Sequence, residues 1–180
     1  MSSLEQLYQQ VILDHAKERH GHDGGLDLHG GHVDASTLAP RATAEGVSAA
    51  SRQRNPLCGD EVLLQVTVAE RDAVPYVVGV SWGGDGCSIS QAATSVMHDL
   101  TVDRPVAEVE TLLDTYRTMI RSRGSFEVDE EVLGDAAAFS GVGRHANRVK
   151  CAMLGWSALE DAVHRAVPVL YEATPDAPTA

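Results

Sequence analysis

The chain has 180 residues, of which 43% are hydrophobic, and a formal net charge of −12. This length and composition predict one globular domain, and no apolar run approaches the roughly 20 residues that cross a bilayer. The acidic charge argues against nucleic-acid binding, because phosphate contacts need clustered Lys and Arg, and it favours a basic protein partner. The N-terminal MSSLEQLYQQ lacks the order of a secretion signal, so we expect a cytoplasmic protein.

The first segment has the spacing of an amphipathic helix that starts at Ser2 or Ser3 and ends near Gly21. From Gly21 to Arg54 glycine, histidine, alanine and serine dominate without a sustained period, which predicts a long flexible loop with a short strand near its end. The histidines of this region are expected to be solvated, although adventitious metal binding stays open; they are His20, His22, His29 and His32.

The central part of the chain predicts two strands, over residues 61–70 and 74–82, whose short connection favours an antiparallel pair. Helical patterns follow from residue 88 onward and over residues 106–121. A turn-rich segment then leads to a last helix over residues 146–167. We therefore predict an α+β fold with a small antiparallel β-sheet and helices packed on one face. We expect one domain over residues 1–170, a flexible insert around residues 21–54, and a frayed tail at 171–180.

Three cysteines lie at the boundaries of predicted elements. Cys58 precedes a strand, Cys87 opens a helix after a glycine-rich turn, and Cys151 lies in the first turns of the last helix. An odd number of thiols in a reducing compartment is unlike a disulfide framework, which leaves inert, metal-binding or reactive cysteines. At a helix N-terminus we expect the macrodipole to lower the pKa of Cys87.

The stretch NPLCGDE, residues 55–61, favours metal ligands among these alternatives. Cys58 and Asp60 are two residues apart, so in an extended chain their side chains point the same way, and Gly59 supplies the bend. Three thiolates and one carboxylate complete the tetrahedral shell that zinc prefers. Spacing alone is a weak signal, because the chain has no CxxC pair.

Several motifs together resemble the IscU/SufU family of iron–sulfur cluster assembly proteins, which share a SufE/IscU-like fold with the NifU N-terminal domain. They are NPLCGDEVLLQVTV, GDGCSISQAATSVM, RVKCAMLGW and the opening LEQLYQQVILDHAKERH. The resemblance implies ligands at Cys58, Asp60, Cys87 and Cys151.

Two branches of this family differ beside the last cysteine. IscU-type scaffolds carry a histidine there, whereas this chain has Lys150, with Arg148 two residues earlier, as the SufU-type branch does. SufU-type resemblance implies a zinc-dependent sulfurtransferase that accepts persulfide sulfur on Cys58 from a SufS-type cysteine desulfurase and serves a downstream cluster scaffold. Arg148 lies on the helical face of Cys151 and is expected to neutralise the site or orient the departing thiolate.

Two other functions are consistent with the same residues. The chain could instead assemble a [2Fe–2S] cluster on them. It could also be a zinc-stabilised binding module without any effect on cysteine turnover.

Overall fold

The computed structural model describes residues 2–26 and 38–173 and has α-helices, a single sheet and two 3₁₀ segments. The elements, in chain order, are α1 (Ser3–Glu18), a 3₁₀ turn (Gly24–Leu26), β1 (Arg41–Thr43), β2 (Gly46–Arg54), β3 (Glu61–Arg71), β4 (Val74–Gly83), α2 (Ser88–Thr101), β5 (Arg104–Pro105), α3 (Val106–Arg121), α4 (Glu130–Leu133), a 3₁₀ helix (Gly134–Arg144) and α5 (Ala146–Ala173). None of the described helices is both long and apolar enough to span a membrane.

The five strands form an antiparallel sheet in the order β1–β2–β3–β4–β5. The inward side chains of β3 alternate as predicted and are almost fully buried, at Val62, Leu64, Val66 and Val68. Helix α5 packs across β2 and β3, and α2 packs on α1 and α5. The predicted α+β architecture is therefore confirmed.

The core between sheet and helices contains the largest side chains of α3 and α5. Tyr116 stacks on Trp156 with ring centroids 4.4 Å apart, and its hydroxyl donates a hydrogen bond to the carbonyl of Ala152 at 3.1 Å. All three residues are fully buried. This packing fixes α5 on the sheet, and with it the position of Cys151 in the first turns of that helix.

The segment from Gly21 to Arg54 contains the strand predicted near its end, but it has more regular structure than predicted. Gly46–Arg54 is a nine-residue strand in the sheet, and Gly24–Leu26 is a 3₁₀ turn that follows residues paired with β4. Sequence periodicity did not give the bounds of β2 because, apart from Val47, its buried positions are small or polar. Ser48 exchanges a hydrogen bond with Thr67, and Ser51 donates one to Asp161 of α5 at 2.6 Å. His29 and His32 lie outside the described residues.

The last helix is longer than predicted. It continues past residue 167, through Pro168, to Ala173, and Leu170 on the added turn is buried against the core. The turn-rich segment before it also contains buried structure, because Ala136 and Phe139 of the 3₁₀ helix enter the core. The rest of the predicted frayed tail, residues 174–180, lies outside the described residues.

Candidate metal centre

The loop between β2 and β3 is closed by the backbone of Asn55. Its N–H donates to the carbonyl of Asp60 at 2.8 Å, and its carbonyl accepts from Gly59 at 2.9 Å. Its side-chain oxygen accepts from the N–H of Leu57 at 3.1 Å. Gly59 has a φ of +82°, a conformation that glycine adopts without strain. The loop therefore presents Cys58 to solvent and turns Asp60 inward, where it is 6% exposed.

Cys151 meets this loop from the first turns of α5. Its Sγ lies 3.6 Å from Sγ of Cys58, and Asn55 Nδ2 donates to it at 3.6 Å. Burial raises the pKa of the Cys151 thiol well above its usual range, and the adjacent Cys58 and Asp60 side chains add to this rise. Without a cation, this thiol is therefore held in its neutral form.

The carboxylate of Asp60 is the strongest indication that these side chains bind a cation. One ligand atom each from Cys58, Asp60 and Cys151 lies within 4.8 Å of the others. Oδ2 of Asp60 is buried and, among the described residues, has no hydrogen-bond partner. A buried carboxylate oxygen without a partner is costly. The donor set of soft sulfur and one carboxylate fits zinc, and it also fits an iron–sulfur cluster.

Cys87 stands slightly apart from those three residues. It is the N-cap of α2 and is exposed, and its thiol does not belong to the group of ligand atoms within 4.8 Å. It nevertheless faces Asp60. Burial raises the pKa of Cys87, and the Asp60 carboxylate raises it further, against an opposing effect of the Ser90 amide. The amides of Ser90 and Ile89 at the helix N-terminus do lower this pKa, as predicted, but burial and the Asp60 carboxylate outweigh them and the net shift is upward.

The two cations that precede Cys151 are both exposed. Arg148 lines a groove between α1 and the start of α2, together with Ser88 and Ile89, which directly follow Cys87. Lys150 is also exposed. Arg148 thus shares a groove with the residues that follow Cys87. Sequence reasoning missed the contribution of Asn55, although the Asn-Pro pair immediately before the cysteine loop was a visible turn signal.

Comparison with known proteins gives the family. The model of the NifU-like N-terminal domain matches residues 7–152. The chain belongs to this family. It is 32% identical over 165 residues to the "iron-sulfur cluster assembly scaffold protein IscU" of Streptococcus pyogenes serotype M1, covering 92% of this chain and 87% of the relative. It is 29% identical over 163 residues to the "zinc-dependent sulfurtransferase SufU" of Bacillus subtilis strain 168, covering 90% and 92%.

A solved structure supports the same family. The crystal structure of FiSufU from Fervidobacterium islandicum AW-1 superposes with a TM-score of 0.61 at 27% identity, covering 90% of this chain and 99% of that one. The names of these relatives include both IscU and SufU. Family membership therefore leaves the choice between cluster scaffold and sulfurtransferase to the chemistry of the site.

Proposed function

We propose that this protein works in iron–sulfur cluster assembly as a zinc-dependent sulfurtransferase, which accepts persulfide sulfur from a SufS-type cysteine desulfurase and delivers it to a downstream cluster scaffold. Cys58, Asp60, Cys87 and Cys151 would hold the zinc ion. The buried, unpartnered Oδ2 of Asp60 beside two thiols is the observation that carries this proposal. Zinc would supply the positive charge that keeps these thiols deprotonated.

The surroundings of Cys151 favour sulfur transfer over cluster assembly. Lys150, at the position where IscU-type scaffolds carry a histidine, is exposed and is a poor ligand because a lysine ammonium group has hydrogen-bond donors but no acceptor lone pair. The relative named as a zinc-dependent sulfurtransferase adds support at similar identity. Arg148 lies three residues before Cys151 in the same helix. Its positive charge would compensate the negative charge that three thiolates and a carboxylate leave around a divalent ion.

Cys58 is the proposed sulfur acceptor because it is an exposed thiol on the protruding loop. Its thiolate attacks the outer sulfur of the desulfurase persulfide. A new S–S bond forms on Cys58, the old one breaks, and the desulfurase cysteine leaves as a thiolate. The reaction needs no external oxidant, because the sulfane sulfur keeps its oxidation level. Leu57, which is 69% exposed beside it, offers an apolar contact to the partner enzyme.

The test is sulfide release from cysteine by a SufS-type desulfurase in the presence of zinc-loaded protein. Stimulation is expected with wild type and is lost with Cys58→Ser, which should also lack the mass gain of one sulfur atom. Lys150→Ala is the matched control, because it changes an exposed neighbour of Cys151 and should stimulate normally. Equal stimulation by Cys58→Ser would refute the assignment of the acceptor.

The alternative function is a scaffold that assembles a [2Fe–2S] cluster on the same residues. It is favoured by the Streptococcus pyogenes relative, which is named as an IscU scaffold protein. Metal content after anaerobic purification separates the two functions. Tightly held zinc favours sulfur transfer, whereas a reconstituted cluster that passes intact to an apo-ferredoxin favours the scaffold. A protein with neither activity would instead be a zinc-stabilised binding module.

A further inference from the structure

A second group of potential metal ligands lies outside the cysteine centre. His15 comes from the end of α1, His20 from the segment that follows it, and Asp99 from the last turn of α2. One ligand atom from each lies within 4.8 Å of the other two. The side chain of His15 is 8% exposed, while those of His20 and Asp99 are each 39% exposed. The cluster therefore has a buried base and a side that is open to solvent.

Each of the three side chains is held by a further residue on its outer side. Nε2 of His15 lies 3.2 Å from Asp135, and Nε2 of His20 lies 3.0 Å from Glu18. The outer carboxylate oxygen of Asp99, Oδ1, lies 3.0 Å from His98. In metal sites, a ligating histidine usually donates its other ring N–H to a carboxylate, which fixes the tautomer and the ring orientation. Both histidines of this cluster have that partner.

The other ring nitrogen of each histidine, Nδ1, and the other carboxylate oxygen of Asp99, Oδ2, face the inside of the cluster. Nδ1 of His20 lies 2.5 Å from Oδ2 of Asp99. Nδ1 of His15 lies 2.9 Å from the hydroxyl of Ser95, which also accepts from the backbone N–H of His20. The His20 and Asp99 atoms face each other directly, so a divalent cation bound by both would replace the hydrogen bond between them.

The backbone that carries His20 is fixed rather than flexible. Trp82 of β4 donates from its indole to the carbonyl of His20 at 2.7 Å and from its backbone N–H to that of Gly21 at 3.0 Å. Gly21 has a φ of +73°, and a Cβ there would lie 2.1 Å from the ring of His98. The chain therefore crosses α2 closely enough to need glycine. This anchoring lowers the cost of ordering the ligands when an ion binds.

We propose that His15, His20 and Asp99 form a second binding site, for a divalent transition-metal ion of the zinc class, distinct from the cysteine centre. The ligand atoms are Nδ1 of each histidine and Oδ2 of Asp99, and water completes the shell on the open side. Two imidazoles and one carboxylate suit borderline ions such as Zn²⁺ and Fe²⁺ and disfavour Mg²⁺ and Ca²⁺, which prefer all-oxygen shells. The ion would tie the end of α1 to α2.

The experiment measures bound zinc after extensive buffer exchange of the full chain. Wild type is expected to retain two equivalents, and both His20→Ala and Asp99→Asn are expected to retain one. His164→Ala is the matched control, because it removes an exposed histidine of α5 that contacts only Glu110 among the described ion pairs, and it should retain two. Retention of two equivalents by the His20 and Asp99 variants would overturn the site.

Two measurements separate this site from the cysteines and from the remaining histidines. A Cys58→Ser/Cys87→Ser/Cys151→Ser variant should retain one zinc, which a further His20→Ala removes. If that variant does not fold, Co²⁺ titration of wild type should give one species with thiolate charge-transfer absorption and one without. His20→Ala should lose only the second species and keep its stimulation of the desulfurase. Loss of the second equivalent on changing His29 and His32 instead would mean adventitious zinc only.

Discussion

Removing the side-chain amide of Asn55 should weaken metal binding at the cysteine centre. The amide group has two functions in the structure. Its oxygen accepts from Leu57 and shapes the loop, while its Nδ2 donates to Sγ of Cys151. Asn55→Ala removes both contacts. Asn55→Asp keeps an oxygen for Leu57 but places a carboxylate against a thiolate, so it isolates the second contact.

The magnitude follows from the burial of the two contacts. Asn55 and Cys151 are 3% and 5% exposed, so water cannot easily replace the donor lost from the sulfur. Mutating a residue that hydrogen-bonds to a metal ligand typically lowers metal affinity by about 10- to 100-fold, or roughly 1.4 to 2.8 kcal/mol. We expect a loss in this range for Asn55→Ala. Asn55→Asp should lose more, because it adds like-charge repulsion in a partly buried site.

The assay is competition for zinc with a chromophoric chelator, with thermal unfolding recorded for metal-free and zinc-loaded protein. The matched control is Asn147→Ala. This residue lies one turn before Cys151 with an exposed side chain, and only its backbone carbonyl contacts the thiol. The control should bind zinc as wild type does. If Asn55→Asp also binds zinc with wild-type affinity, the amide–thiolate contact contributes nothing and this reasoning fails.

Three further predictions follow from the site and the sheet. Asp60→Ala should lose zinc retention and desulfurase stimulation while it remains folded, as followed by zinc analysis and circular dichroism; full zinc content with full activity would exclude Asp60 as a ligand. Arg148→Ala should slow sulfur acceptance without changing the amount of bound zinc, whereas Arg148→Lys should restore part of the rate. If Arg148→Ala accepts sulfur at the wild-type rate, Arg148 is a surface residue without a role in the transfer. Ser51→Ala should lower the free energy of unfolding in urea by about 1.5 to 3 kcal/mol, because it removes a partly buried hydrogen bond from a buried hydroxyl to the Asp161 carboxylate. A change below about 0.5 kcal/mol, the size common for surface positions, would contradict this.

The strands that could be predicted are those that bury large apolar side chains at alternating positions. Residues Glu61–Arg71 have that pattern, and their strand was found within one residue at its end. Strand β2 was expected only as a short strand without bounds because, apart from Val47, its buried residues are Ala49, Ala50 and hydrogen-bonded serines. Such positions resemble a flexible loop in composition. Their partners on β3 and α5 are distant in sequence, so local reasoning cannot supply them.

From spacing alone, the candidate site was predictable only where its residues are neighbours in the chain, whereas Cys87 and Cys151 were expected as ligands from the family resemblance. Cys58 and Asp60 are two residues apart, and the loop turns both toward one region. The approach of Cys151 depends on how α5 packs on the sheet, which the spacing of motifs does not encode. The net direction of the Cys87 pKa shift could not be predicted from the sequence for a related reason. The helix effect is local, whereas burial and the Asp60 carboxylate arise only from the tertiary fold.

Unequal burial separates the proposed sulfur ligands, because Cys151 is buried whereas Cys58 and Cys87 are exposed. Cys151 is 5% exposed and fixed on a packed helix. Without a bound cation its thiolate would be buried in surroundings that favour the neutral thiol. Cys58 is exposed, and a Cβ on the adjacent Gly59 would meet nothing within 4 Å. Its thiolate can therefore move into solvent with its loop at low cost. On this reasoning the buried Cys151 and Asp60 would retain the ion. Of the two exposed cysteines, Cys58 would receive the sulfur because it lies on a loop, whereas Cys87 is the N-cap of a packed helix.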